Sequence, residues 1–189
     1  MKKIIVSALT LLAGFSALAQ TYTLDKTHAK LNFIITHLMI SDVDGSFKDF
    51  SVKLTSTKED LSDAVVDLTA AINSIDTDND QRDTHLKGPD YFDAAKFPTL
   101  TFKSKSMKKV GDKKYKLAGD VTIHGVTKPL ELDVVYNGSA IHPYTKKTVV
   151  GFKITGLIKR SDFGVGASTP SAVLSDEVPI VANVEFIKE

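Results

Sequence analysis

The sequence predicts an all-β protein, and three observations support that prediction. Apolar and polar residues alternate with a period of two through about eight segments, as strands with one buried face do. None of these segments is a continuous apolar run, which disfavours a parallel sheet buried on both faces. The segment 74–98 breaks the alternation and is inserted between two of the strands. We therefore expect an antiparallel sheet with one irregular insert.

Two architectures fit this pattern, a two-sheet sandwich and a closed barrel. A barrel leaves no exposed edge strand. An eight-stranded barrel also has open mouths and room for one ligand, which gives the insert a place to lie. The sequence thus favours an eight-stranded antiparallel barrel with a short helical insert that caps one end.

The first residues of the chain are expected to be a signal peptide. A short basic start precedes a mostly apolar run at residues 4–18, and an A-x-A cleavage pattern ends at Ala19. The run is short for a membrane anchor. We predict cleavage between Ala19 and Gln20, export to the periplasm or out of the cell, and one domain formed by residues 20–189.

Each predicted strand has its own alternating set of apolar residues. The strands are expected at residues 28–37, 47–57, 64–72, 99–107, 115–123, 129–136, 149–158 and 178–187. Turns and loops are expected between them at residues 42–45, 60–63, 111–112, 124–127, 137–147 and 161–176. Most of these connections are short, which favours antiparallel hairpins.

The insert Ser74–Pro98 begins polar and acidic and then becomes aromatic. Thr77 is the predicted N-cap of a helix, since Asp80 follows three residues later, and Gly88 is the matching stop signal. We expect the helix to cap the barrel. Phe92 and Phe97, which follow it, are expected to anchor the cap on the apolar interior.

Composition excludes several kinds of chemistry. Cysteine is absent, so neither a disulfide framework nor a thiolate can form. The chain has 24 Lys and Arg against 23 Asp and Glu with no basic block, so a nucleic acid is a poor partner. The five histidines form no H-x-H or H-E-x-x-H pattern, and we expect neither a metal nor a cofactor.

Six short motifs stand out from the alternation, and together they resemble the YceI-like family. They are Asp25-x-x-His28, Gly45-x-Phe47, Arg82-Asp83-x-His85-Leu86, His124-Gly125-Val126-Thr127-Lys128-Pro129, Arg160-Ser161-Asp162-Phe163-Gly164 and Ser175-Asp176-Glu177-Val178. Each motif alone is weak evidence for the family, whereas six of them in this order along residues 20–189 are specific evidence for it. The resemblance implies a lipocalin-like barrel that binds a long amphiphile such as a polyisoprenoid, an isoprenoid quinone or a fatty-acid derivative. It also implies that a homodimer is a possible state and that no catalytic motif is established.

Nine inward-facing apolar residues are the candidate ligand contacts. Either they fill a packed core, or they line a hollow one. They are Leu31, Phe33, Ile35, Phe50, Phe102, Val121, Ile123, Phe152 and Ile154.

The charged candidates lie in the insert and in the second irregular stretch. Arg82 and Arg160 suit a phosphate or carboxylate head group, because guanidinium binds such groups in a fork. The alternative is that Arg82 pairs with Asp83 or another nearby acid, and Arg160 with Asp162 or Asp176, to hold loops at the barrel mouth. The excess of acids in the insert favours this alternative.

Two other functions remain open. Arg82, Asp83 and His85 would be the polar site of a lipid-modifying enzyme, although no nucleophile motif accompanies them. A surface interaction module would need an apolar outer patch, and the strand alternation leaves few apolar residues on outer faces.

Overall fold

The computed structural model describes residues 19–189, and its strands form one antiparallel sheet that closes on itself. The predicted signal peptide lies outside the described residues, apart from Ala19. The strands are β1 (Gln20–Leu24), β2 (Lys30–His37), β3 (Ser41–Phe47), β4 (Phe50–Ser56), β5 (Val65–Ala71), β6 (Ile75–Asp76), β7 (Thr99–Gly111), β8 (Lys114–Ile123), β9 (Val126–Ile141), β10 (Thr148–Lys159) and β11 (Glu177–Lys188). The helix is α1 (Asp80–Leu86), and short 3-10 turns lie at Lys26–His28, Ile72–Ser74 and Arg160–Phe163.

Eight of these strands form a closed ring in the order β1, β4, β5, β7, β8, β9, β10 and β11, and β11 pairs back with β1. The strands β2, β3 and β6 extend the ring at one end, where β2 also pairs with β11. Thus β1 and β2 act as one interrupted strand, as do β3 and β4, and β5 and β6. The barrel prediction is confirmed, and the sandwich is excluded because the sheet closes.

The positions of the strands differ from the prediction in two places near the start of the barrel. Residues 41–47 form β3, so the turn predicted at 42–45 is wrong; Asp42 and Asp44 face outwards from a strand. The strand β1 was missed, because only Tyr22 of its five residues is buried. A run this short and polar carries too little alternation to be recognised.

The hairpin between β8 and β9 is tighter than predicted. Ile123 pairs with Val126, which leaves a two-residue turn of His124 and Gly125. Both residues have positive φ, 50° and 76°. This geometry is that of a type I′ turn, whose twist matches that of the flanking strands.

The hairpin between β9 and β10 is longer than predicted. Strand β9 extends to Ile141, into the stretch 137–147 predicted as a loop. Beyond Tyr136 it pairs only with β10, and every residue there except Gly138 is exposed, so no apolar alternation marks it.

The helix of the insert is confirmed, but its N-cap is not Thr77. Asn79 caps α1 by accepting a hydrogen bond from the Arg82 backbone N–H at 2.9 Å. The helix ends where predicted, since the Gly88 N–H donates to the His85 carbonyl at 3.0 Å.

Candidate functional site

The barrel contains a cavity of about 220 Å³ whose accessible surface is apolar. Nearly every strand contributes to it through its inward face. All nine apolar residues singled out in the sequence line this cavity: Leu31, Phe33, Ile35, Phe50, Phe102, Val121, Ile123, Phe152 and Ile154. All of them except Ile35 and Ile154 are also buried in the packed core, so the barrel has a packed wall around a hollow centre, and ligand contact by these residues stays a prediction.

Glycines in the wall help to keep the centre of the barrel open. The Phe102 ring lies over Gly119 of the neighbouring strand, where a Cβ would come within 2.6 Å of its Cζ. The Phe33 ring covers Gly45, its direct partner across β2 and β3, in the same way. Both rings can lie against the wall because no side chain occupies that space. Sequence reasoning missed this role, although a glycine inside a strand is a recognised sign of such close approach.

One end of the cavity is closed by the insert. Leu86, Tyr91 and Phe92 line the cavity there. The Phe92 ring lies 6.1 Å from that of Phe47, edge to face. The predicted anchoring by Phe92 is thus correct, and we call residues 77–97 the lid.

Phe97 lies elsewhere than predicted. Its ring packs edge to face on His124, with centroids 4.8 Å apart, and covers Gly125. It therefore fastens the end of the lid to the β8–β9 turn, and it is not among the residues that line the cavity.

The charged residues of α1 hold the start of the lid. The buried Asp83 carboxylate accepts hydrogen bonds from the Thr77 N–H at 2.9 Å and the Thr77 hydroxyl at 2.5 Å. The Arg82 guanidinium donates to the Thr77 hydroxyl and carbonyl oxygens. The predicted pair of Arg82 with Asp83 is therefore not formed, and each of the two side chains makes its own hydrogen bonds to Thr77.

His85 is exposed on the outside of the lid. Its ring packs edge to face on Tyr91, 4.9 Å between centroids. None of Arg82, Asp83 and His85 lines the cavity. The structure thus brings no polar cluster from α1 to the apolar interior.

Arg160 lies against the cavity and organises the loop 160–176. Only 7% of its surface is exposed, and all five of its N–H groups donate to backbone carbonyls. The acceptors are the carbonyl oxygens of Val165, Gly166, Thr169, Leu174 and Ser175, at 2.6–3.2 Å. The guanidinium is fully used within the protein, so it has no N–H to offer a head group in this conformation.

The acids expected to pair with Arg160 have other roles. Asp176 accepts hydrogen bonds from the Ser161 hydroxyl and N–H, which hold its pKa below the usual value. Asp162 is exposed. Since Phe163, Val165 and Leu174 of this loop line the cavity, Arg160 stabilises part of the cavity wall.

The opposite end of the barrel is closed by the loop 57–64, which sequence reasoning took only as a break. Leu61 is buried at 3% exposure, and the Tyr115 hydroxyl donates to the Asp60 carbonyl at 2.7 Å. The Asp63 carboxylate accepts from the hydroxyls of Ser56 and Thr57. In the sequence, the one sign that this loop closes the barrel was Leu61, a single large apolar residue among polar ones.

One group of possible metal-binding side chains exists among residues 19–189, formed by Asp25, His28 and Glu185 within 4.8 Å. It lies on the outside of the barrel. The hydrogen bonds of Asp25 with His28 and Thr27 lower its pKa to about 2. The group is a hydrogen-bonded cap of the turn between β1 and β2, away from the cavity.

Comparison with known proteins agrees with this architecture. A family model described as the YceI-like domain matches residues 22–186. Protein YceI of Salmonella newport is 38% identical over 176 residues, which span 92% of this chain and 90% of that protein.

Several solved structures share the fold of this chain. The Campylobacter jejuni YCEI protein is 38% identical, with a TM-score of 0.74 over 82% of this chain and 90% of that one. Burkholderia cenocepacia BcnA, 24% identical, shares the fold with a TM-score of 0.76 over 86% and 98% of the two chains. A domain from Saccharophagus degradans described as polyisoprenoid binding, 17% identical, covers 89% and 98% with a TM-score of 0.61. The chain belongs to the YceI-like family.

Proposed function

We propose that this protein binds one long-chain amphiphile and holds its apolar tail in the barrel cavity. The observation that carries the proposal is a cavity inside the barrel whose accessible surface is apolar and which is lined by residues from almost every strand. A polyisoprenoid, an isoprenoid quinone or a fatty-acid derivative has a tail of this character. The polyisoprenoid binding domain from Saccharophagus degradans, which shares this fold, supports the first of these classes.

The energetics favour a long tail with few polar contacts. Burying one methylene contributes roughly 0.8 kcal/mol, so about ten contribute roughly 8 kcal/mol. Lost freedom of the ligand offsets several kcal/mol of this gain. Micromolar binding corresponds to a net free energy of about −8 kcal/mol, so it needs a tail longer than ten methylenes, and tails of similar length should bind similarly.

The protein acts as a carrier or sequestering protein rather than an enzyme under this proposal. A lipid-modifying enzyme would need polar groups that reach the bound chain. Arg82, Asp83 and His85 are directed to Thr77 and Tyr91 instead of the cavity. No contact of these residues favours the enzyme alternative.

We place this function in the periplasm or outside the cell, after removal of residues 1–19. The pattern that ends at Ala19 supports export. In the described part of the chain, no helix has the length and apolar character to cross a membrane. The homodimer implied by the family resemblance stays a prediction.

Extraction of the native ligand tests the proposal. Protein purified without detergent from its own host is extracted with organic solvent, and the extract is analysed by mass spectrometry. We expect close to one long-chain amphiphile per protein chain. Protein that yields no lipid, and takes up none when long-chain lipids are supplied, would refute the proposal.

The lid is the expected gate for this ligand. The lid meets the loop 160–176 through a hydrogen bond from the Gly166 N–H to the Asp90 carbonyl, 3.0 Å, and one between the Tyr91 and Thr169 hydroxyls, 3.1 Å. Opening requires these two contacts to separate. A cap that opens this way controls access to the cavity.

A disulfide across this contact tests the gate. Because the chain has no cysteine, the two thiols of the double variant Asp90→Cys/Ala167→Cys are the only ones that can form a disulfide within it. We expect lipid uptake to slow at least tenfold in the oxidised variant and to recover on reduction, followed in real time with a fluorescent long-chain amphiphile. The reduced form of the same protein is the control. Equal uptake rates in both forms would show that ligand enters elsewhere.

A further inference from the structure

The turn between β2 and β3 exposes three consecutive large apolar residues. Leu38, Met39 and Ile40 are 50%, 59% and 83% exposed. Within residues 19–189 no other run of consecutive large apolar side chains is exposed in this way. Clusters of this kind mark surfaces that contact another apolar phase.

The backbone of this turn shows that these side chains do not serve its folding. Leu38 and Met39 have φ values of 51° and 59°, and the Ile40 N–H donates to the His37 carbonyl at 3.1 Å. This is the left-handed geometry that Asn and Gly adopt most easily, and bulky residues adopt it at a cost. A turn optimised for folding alone would carry Asn-Gly here. The apolar side chains therefore point to a role outside the turn.

The turn belongs to the rim of the cavity. The Leu38 N–H donates to the Val173 carbonyl at 2.8 Å, and the Ser175 N–H donates to the Thr36 carbonyl at 2.9 Å. Leu174, which lies between these two contacts, lines the cavity. The exposed turn is thus fixed to the loop that closes the cavity together with the lid.

We propose that Leu38, Met39 and Ile40 insert into the surface of a lipid bilayer and dock the lid end of the barrel there. This inference rests on the proposed function, since it places the gate where a lipid ligand is exchanged. Three apolar side chains with no lysine or arginine among them bind a bilayer weakly and reversibly, as a single short anchor does. Weak docking suits a carrier that must leave with its ligand.

A second copy of the chain fits this surface less well. Three side chains supply a few hundred Å², below the roughly 800 Å² per partner of a stable protein interface. Self-association through the turn would also bring Asp42 and Asp44 of both chains together, at a Coulombic cost. The same two acids predict a preference for zwitterionic over anionic lipid.

Flotation with phosphatidylcholine vesicles tests the proposal. The variant Leu38→Asn/Met39→Gly removes two of the side chains and gives the turn its preferred residues, so we expect an equal or higher Tm. We expect vesicle binding to fall at least tenfold, and Ile40→Ser to lower it about tenfold alone. The matched controls Val110→Ser and Ile141→Ser replace exposed apolar residues at the opposite end and should bind as the unaltered protein does.

A second measurement separates this proposal from the function on which it rests. Binding of a single-chain amphiphile without vesicles should be the same in the unaltered protein and in the turn variants. Amphiphile binding combined with equal vesicle binding by all variants would overturn the docking proposal and leave the function intact. If the variants lose vesicle binding but no form of the protein binds the amphiphile, the docking proposal stands and the proposed function is refuted. Two further results would contradict docking: a dimer that only the turn variants lose, and binding restricted to anionic vesicles at low salt.

Discussion

Replacing Arg160 with methionine should cost about 3–5 kcal/mol of unfolding free energy, because several buried carbonyl oxygens lose the charged donor that they share. Methionine keeps the apolar stem but removes all five donors. The carbonyl oxygens of the loop 160–176 then lose their common partner, and each buried acceptor left unsatisfied costs about 1–3 kcal/mol before water enters. Chemical denaturation with urea measures the change directly.

The matched control is Arg82→Met. The Arg82 guanidinium also makes hydrogen bonds, but only to Thr77, and it lies on the exposed side of α1. We expect this variant to lose about 1 kcal/mol or less. Arg160→Lys should recover little of the lost stability, because an ammonium cannot reach five carbonyls arranged around a planar fork. Equal costs for Arg160→Met and Arg82→Met would show that the loop does not depend on Arg160.

Filling part of the cavity should weaken lipid binding about 100-fold without unfolding the protein. Ala182 lies on the inward face of β11 and lines the cavity, so Ala182→Trp directs an indole ring into the 220 Å³ of open space. Excluding about four methylenes of the tail costs roughly 3 kcal/mol, or about 100-fold in affinity. The protein has no tryptophan of its own, so the new ring also reports on its surroundings by fluorescence.

The control for this variant is the next residue along the strand. Asn183→Trp places the same ring on the exposed outer face of β11. We expect unchanged affinity for a long-chain amphiphile and a red-shifted emission spectrum, against a blue-shifted one for Ala182→Trp. If both variants bind lipid as the unaltered protein does, the tail lies outside the cavity.

The inward faces of the barrel were predictable, because period two fixes which residues share a face. That is why Phe102, Val121 and Phe152 could be assigned to the lining from the sequence. Whether the interior is hollow could not be decided in this way. It depends on register between strands, which sets Phe33 over Gly45 and Phe102 over Gly119.

The loops were harder to predict for a similar reason. The five acceptors of Arg160 come together only when the chain from Val165 to Ser175 has folded around it. Nearby acids were the obvious partners in the sequence. Every residue has a backbone carbonyl, so the sequence does not show which carbonyls will accept hydrogen bonds from Arg160. Phe97 shows the same limit, since its ring packs on a turn that follows 27 residues later, at His124.

Affinity as a function of tail length tests the central claim most directly. A series of single-chain amphiphiles with one head group and increasing chain length is titrated into delipidated protein, and Kd is measured for each. A tail held in the apolar cavity predicts that Kd falls about three- to fourfold per added methylene, until the cavity is full and the values level off. In Ala182→Trp the values should level off at a shorter chain. A Kd that depends on the head group but not on chain length would contradict the account.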